Sequence, residues 1–531
     1  MLLLIPLISE ILACLIAIRL QLPASAVPAP FRVLPYVQNP SQNEITIRWL
    51  TEESATGTLL ITIDGEKCEF NSDPQQPSAL AYNIFGEEPA DRCKTIPFLH
   101  SVRVTGLQPG TNYPYVVRQP VANSSEGAIE VNGTFQTAPG PDQAIRFIVY
   151  SDSETEPEST TSPPVDWPAL AESGRPDHVK RYLVNQTIGY QQNLKIIGER
   201  SPNFICIAGD LVESGGEQRD WDEFWRHVAG EFGSIASQRP IFPAIGNHEN
   251  YGGPGAFGGY SAEAADFGVK KLLTYFDVPH NQASNPQHVG RYYRIDYGPM
   301  TLITLDSSDG LPHQTRSDTN HNLSGSNAPD FNPGSEQYQW LEAQLADAQH
   351  SSRFTFVQFH HTPYGSGPHS VPFGTEGFSG QSGIAMRVLR PLLMQYGVDV
   401  VFCGHDELLE RSLVPGVESL PNGSERAHEI HFYDVGIGGD GMRGPSANTD
   451  NPFRKFLAHN DSVEVWDGQR LVSGGKHYGH VEVNVSPNDA GHWTVRIEPV
   501  HAFPLTEVDG QVTSWERRCY DDVVTITQPT N

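Results

Sequence analysis

Five short polar segments carry residue types that could do chemistry together: Asp152-Ser153-Glu154, Gly209-Asp210, Gly246-Asn247-His248-Glu249, His361-Thr362-Pro363 and Gly404-His405-Asp406-Glu407. Carboxylates, imidazoles and an amide oxygen are the donors that hold metal ions. Asn247, His248 and Glu249 set an amide, an imidazole and a carboxylate in consecutive positions, and His405 and Glu407 lie two apart. Asp210 follows the apolar run Phe204–Ala208 through Gly209, where the chain can turn sharply. Any one segment alone reads as a loop with satisfied polar groups. All five in order, each behind an apolar run, point to one metal centre.

Strands must deliver these segments. Short apolar runs recur at Phe147–Tyr150, Phe204–Ala208, Phe242–Ile245, Thr301–Leu305, Phe354–Phe359 and Val398–Cys403, with amphipathic stretches such as Val179–Glu199 and Ser335–Gln349 between some of them. Strands alternating with helices predict a layered α/β domain. Most of these runs end at one of the polar segments, and ligands in such sheets bind just beyond the strand ends. Before this region, residues 27–138 read as all-β. Glu44–Trp49 and Val102–Val104 alternate with period two. From about Glu429 the pattern is β-like again, with Val481–Val485 and Trp493–Ile497 expected to close a second sheet.

The five segments resemble the signature of the calcineurin-like metallophosphoesterases, and within them that of the purple acid phosphatases. Gly404–Ser412 parallels their Gly-His-x-His-x-x-Glu-Arg-Ser, Ser335–Leu341 resembles a helix start they carry, and Gly438-Gly439 and Tyr478-Gly479 have counterparts near their C-terminus. Leu34–Gln38 and Leu107–Tyr113, the latter reading Leu-x-Pro-Gly-Thr-x-Tyr, resemble their fibronectin type III-like domain. The resemblance implies a sandwich of two sheets flanked by helices over residues 142–505, after an all-β fibronectin-like sandwich over 27–138; residues 506–531 would be a tail.

It also implies two metal ions. Asp210 would bridge them. Asn247, His361 and His405 would complete the second ion's shell, and Asp152, Glu154 and Glu407 the first's. The family block places its histidine two residues before proline, which selects His361; alternation then turns His360 to the other face of the strand, as a structural or supporting residue or a possible metal ligand. His248 would act on the leaving oxygen. His369 is either a substrate contact or a surface histidine. Glu154 and Glu407 stand where the family has glycine or histidine, so the first ion would be held by oxygen alone and biased to Mn, Mg, Ca or ferric iron over zinc. Glu213 replaces the tyrosine that colours the purple enzymes, so an uncoloured relative is expected; Glu213 itself is either a ligand or a solvated loop residue.

Composition bounds the rest. The 531 residues exceed one compact core. The 35 basic and 63 acidic residues give a formal charge of −28, which argues against a nucleic-acid surface. Residues 1–26 carry an apolar run ending in Ala24-Ser25-Ala26, a signal peptide or a short anchor, and no later stretch is apolar enough to span a bilayer. Export would allow a disulfide between Cys68 and Cys93. The function expected is hydrolysis of small phosphate monoesters in a secreted or periplasmic setting. The alternatives are a phosphodiesterase on the same centre and a non-catalytic metal-binding surface protein. The sequence leaves the oligomeric state open.

Overall fold

A computed structural model describes residues 27–82, 95–121, 127–161, 165–167, 182–184, 186–254, 258–309, 318–320, 323, 325–372, 374, 381–439, 443–446, 450–458, 460–507 and 512–528. The leader and Cys93 lie outside these residues; Cys68 carries a free, half-buried thiol.

The N-terminal region is a sandwich of two antiparallel sheets. One has β1 (Phe31–Gln38), β2 (Glu44–Thr51) and β5 (Phe98–Thr105); the other orders β4 (Glu66–Ser72), β3 (Gly57–Ile63), β6 (Asn112–Pro120) and β7 (Ala128–Gln136). Alternation along β6 buries one of its faces, whereas β2 is buried at all but Glu44 and Arg48. At the turn before β6 the Gln108 N–H donates to the Tyr113 hydroxyl at 2.8 Å. Aromatic residues dock this sandwich on the larger region C-terminal to it. Tyr36 packs on Trp225 at 4.3 Å and donates its hydroxyl proton to the Tyr275 carbonyl. Tyr115 does the same to Ser237.

The larger region stacks two sheets face to face. In one, β8 (Ile145–Tyr150) lies beside β9 (Phe204–Ile207), with β10 (Ile241–Pro243) outside it, all parallel. In the other, β11 (Met300–Thr304), β12 (Phe354–His361), β13 (Val400–Gly404) and β14 (Glu425–Val435) run parallel in that order. The chain then returns to the first sheet, where β15 (Gly479–Pro487) pairs with β8 on its free side and leads to β16 (Trp493–Thr506). β9, β12 and β13 are buried at every position, as strands covered on both faces must be. Phe147, Phe204, Phe356 and Phe402 fill the space between the sheets. Trp221 and Trp225 of the helix Gln218–Val228 cover one outer face, and Leu341 and Leu345 of the helix Glu336–Ser351 the other. Two sheets flanked by helices are therefore the architecture, as expected.

The stretch from residue 506 corrects one expectation. It is not a tail: β17 (Val512–Tyr520) and β18 (Val524–Thr527) both pair with β16 and widen the first sheet.

Candidate metal centre

The C-terminal ends of β8, β9, β10, β12 and β13 meet at one rim, and their loops carry the polar segments. The backbone there is strained. Ten non-glycine residues among those described have positive φ, and five are Asp152 (57°), Glu154 (35°), Asp210 (53°), His405 (82°) and Glu407 (49°). Each such conformation costs about 1–2 kcal/mol in an L-residue, so its concentration at one rim marks function. Gly246 is required for a different reason. A Cβ there would collide with the Asp210 carboxylate and backbone.

Asp210 lies at the heart of the rim. Its Oδ2 is 2.9 Å from His360 Nε2, and its Oδ1 accepts the His248 backbone N–H at 2.8 Å. His360 Nε2 also lies 2.8 Å from Asn247 Oδ1 and 3.2 Å from His405 Nδ1. Outer contacts fix these orientations. His360 Nδ1 donates to the Ala208 carbonyl and His405 Nε2 to the Gln381 carbonyl, and the Asn247 amide donates to the Tyr260 hydroxyl. Both Asn247 Oδ1 and His405 Nδ1 thus present lone pairs inward.

The charges follow from this crowding. Burial would lower the His360 imidazole, but the Asp210 and Asp152 carboxylates raise it to about 9. Burial would raise Asp210, but His360 and His248 hold it down at about 2. Burial pushes Asp152 up to about 7 against the pull of His360. Three lone-pair donors therefore crowd one proton on His360. A hydrogen bond is directional and serves one acceptor well; a cation serves several at once. The donor set fits a metal ion. His361 adds a second sign: Ser307 Oγ holds its Nδ1 at 2.9 Å, while its buried Nε2 has no hydrogen-bond partner.

Two groups of ligating side chains have all their donor atoms within 4.8 Å of one another among the described residues: Asp210, His360 and His405, and Glu154, Asp210 and His248. Asp210 belongs to both. Asp152 is fully buried and accepts the His405 backbone N–H at 3.0 Å. Glu407 is buried, and its Oε2 lies 2.7 Å from Arg443 Nε. It reaches the rim through backbone: Gly436 has no room for a Cβ between the Asp152 carboxylate and the Glu407 backbone. His361 stands one place further along β12, its ring 4.7 Å from that of His405. His248 Nδ1 donates to the Glu213 carbonyl at 2.6 Å, and its Nε2 lies 3.8 Å from Glu154 Oε1. The Glu213 carboxylate is 3.7 Å from the same Nδ1. His369 packs against His405, the ring centroids 4.0 Å apart and the planes tilted by 31°.

Residues given no role by sequence reasoning hold the rim together. Buried Glu249 accepts three backbone N–H groups, from Asp210, Leu211 and Gly246, and so ties two ligand loops to each other. Asp406 accepts from the backbone of His369 and Gly367 and from the Ser370 hydroxyl, which seats the His369 loop against His405. The one signal for either was position: each adjoins a residue already singled out.

Comparisons with known proteins agree with this geometry. Residues 146–406 match the calcineurin-like phosphoesterase family. A protein of Mycobacterium tuberculosis is 29% identical over 59% of this chain and 50% of its own length. The probable inactive purple acid phosphatase 27 of Arabidopsis thaliana is 26% identical over 72% of this chain and 57% of its own. Purple acid phosphatase 22 of the same plant is 25% identical over 54% and 57%. The chain spans about half the length of these curated relatives. The structure of a purple acid phosphatase from yellow lupin (Lupinus luteus) seeds superposes with a TM-score of 0.60 at 20% identity, covering 93% of this chain and 74% of that one. Strand-end loops that gather on Asp210, the family match across them and the shared fold agree: residues 146–406 form a calcineurin-like phosphoesterase domain, and the chain has the purple acid phosphatase-like fold.

Proposed function

We propose that this protein hydrolyses phosphate monoesters outside the cytoplasm at a dinuclear metal centre. The observation that carries the reading is the membership of Asp210 in both ligating groups. Asn247, His360 and His405 with Asp210 would hold one ion, and His361 stands beside them with its open Nε2. Asp152, Glu154 and Glu407 with Asp210 would hold the other. Bound there, two ions would supply Lewis acidity and a water of lowered pKa. Iron, manganese, magnesium, calcium and zinc all suit such a centre, and the carboxylate set favours the harder ions.

The chain's own groups do the rest. A carbonyl cannot donate, so the Glu213 contact fixes a proton on His248 Nδ1 and points Nε2 toward Glu154 and the rim. Burial would lower this imidazole, but Asp210 and Glu213 raise it, so its charged form is favoured. His248 is thus poised to protonate a leaving alkoxide. His369 sits over His405, where it would contact the ester. Export rests on the Ala24-Ser25-Ala26 site.

The test is metal depletion followed by return of one ion at a time, with turnover of a chromogenic monoester and the matching diester. Manganese, magnesium, calcium or iron should restore monoester turnover best. Restoration by zinc alone removes the hard-ion reading. Faster diester turnover selects the phosphodiesterase, and no turnover with any ion selects a non-catalytic binding protein.

A further inference from the structure

Arg443 reaches the rim from a loop that no sequence motif marked. Its Nε lies 2.7 Å from Glu407 Oε2, and a terminal nitrogen lies 3.3 Å from His369 Nε2. Its backbone N–H donates to the Glu407 carbonyl at 3.1 Å, and that of Ser446, three residues on, donates to the Ser366 carbonyl. The arginine is therefore held at both the main chain and the side chain. Its side chain is still 43% exposed, against 3% for Glu407, so the guanidinium spans from a buried carboxylate to solvent.

The charge balance gives this position a purpose. Asp152, Asp210, Glu154 and Glu407 put four carboxylates on one rim. A phosphate ester is itself an anion and must approach them. Two neutral imidazoles in place of Glu154 and Glu407 would leave the ions a net positive charge to attract an anion; four carboxylates would about neutralise two divalent ions, so a fixed cation beside them supplies that attraction. A guanidinium is planar, always charged, and matches two phosphate oxygens at once. We infer that Arg443 is a substrate-positioning residue that grips the non-bridging oxygens of the phosphate ester, with Glu407 fixing the orientation of its guanidinium. The inference rests on the phosphoesterase reading and adds to it a role for a side chain outside the five polar segments. It also explains the contact with His369, which places two phosphate-facing groups side by side.

The test uses the full chain loaded with metal, in wild-type, Arg443→Ala and Arg443→Lys forms. Inorganic phosphate binding is followed by calorimetry, metal content by mass spectrometry, and monoester kinetics in parallel. Arg443→Ala should weaken phosphate binding and raise KM by about 10- to 100-fold, with an unchanged metal-to-protein ratio and a smaller change in kcat. Arg443→Lys should recover part of the loss, because it restores charge without the fork. Unchanged phosphate affinity in Arg443→Ala overturns the inference. So does a loss of bound metal, which would make Arg443 a support for Glu407 alone. A wild-type protein that binds neither phosphate nor ester fails earlier, and takes the phosphoesterase reading with it.

Discussion

The two proposed donor sets share Asp210, and they are held in different ways. Apart from the shared Asp210, the contacts that fix Asn247, His360 and His405 from outside are neutral: the carbonyls of Ala208 and Gln381 and the hydroxyl of Tyr260. Glu154 and Glu407 are held by charge, facing His248 and Arg443. Neutral contacts orient a ligand without altering its charge. Ionic partners compete with a metal ion for the same oxygens. The imidazole set should therefore bind tightly and tolerate little change, and the carboxylate set should exchange ions and accept substitution more readily.

The largest effect should come from the shared residue. Asp210→Asn should lower kcat/KM for a monoester on the order of 10³-fold, by analogy with the loss of a transition-state electrostatic group. Next, Glu249→Ala leaves three buried N–H groups without an acceptor. It should cost about 3 kcal/mol or more of stability in urea unfolding, with a shifted midpoint and an unchanged slope. Third, Glu407→His should move ion preference toward zinc by about 10-fold in relative affinity, whereas His360→Glu should abolish tight binding in the imidazole set. Equal effects of the last two substitutions would erase the contrast between the sets.

The smallest effect lies far from the centre and serves as its control. His100 stacks on Trp49 at 4.9 Å in the N-terminal sandwich, with hydrogen-bond partners Thr51 and Ser72. Burial lowers its pKa from 6.5 to about 4, so folding favours its neutral form. The unfolded chain then binds the extra proton. The stability it contributes is fully present above pH 6.5 and is lost as pH falls toward 4. His100→Gln should flatten stability across that window and leave metal content at neutral pH unchanged.

How much of this was legible in the sequence depended on the distance over which each pattern acts. Apolar runs ending in polar segments are local, so the strand ends at Asp152, Asp210, Asn247 and His405 could be read directly. The choice between His360 and His361 was not local. Simple alternation turned His360 away from the centre, yet its Nε2 is the one beside Asp210. The register between β12 and β13 is irregular between Gln358 and His361, and an irregular ladder can re-aim consecutive side chains. Arg443 was invisible because its partners, Glu407 and His369, are brought to it only by folding. Glu516, Arg517 and Arg518 hid β17, a strand whose charged residues pair with one another and with β15 and β16.

The most direct measurement is the metal-to-protein ratio of the wild type and of Asp210→Ala, purified side by side and analysed by mass spectrometry. An aspartate shared by both donor sets predicts about two ions per wild-type chain and fewer than one in the variant. Retention of the wild-type ratio by Asp210→Ala would contradict it.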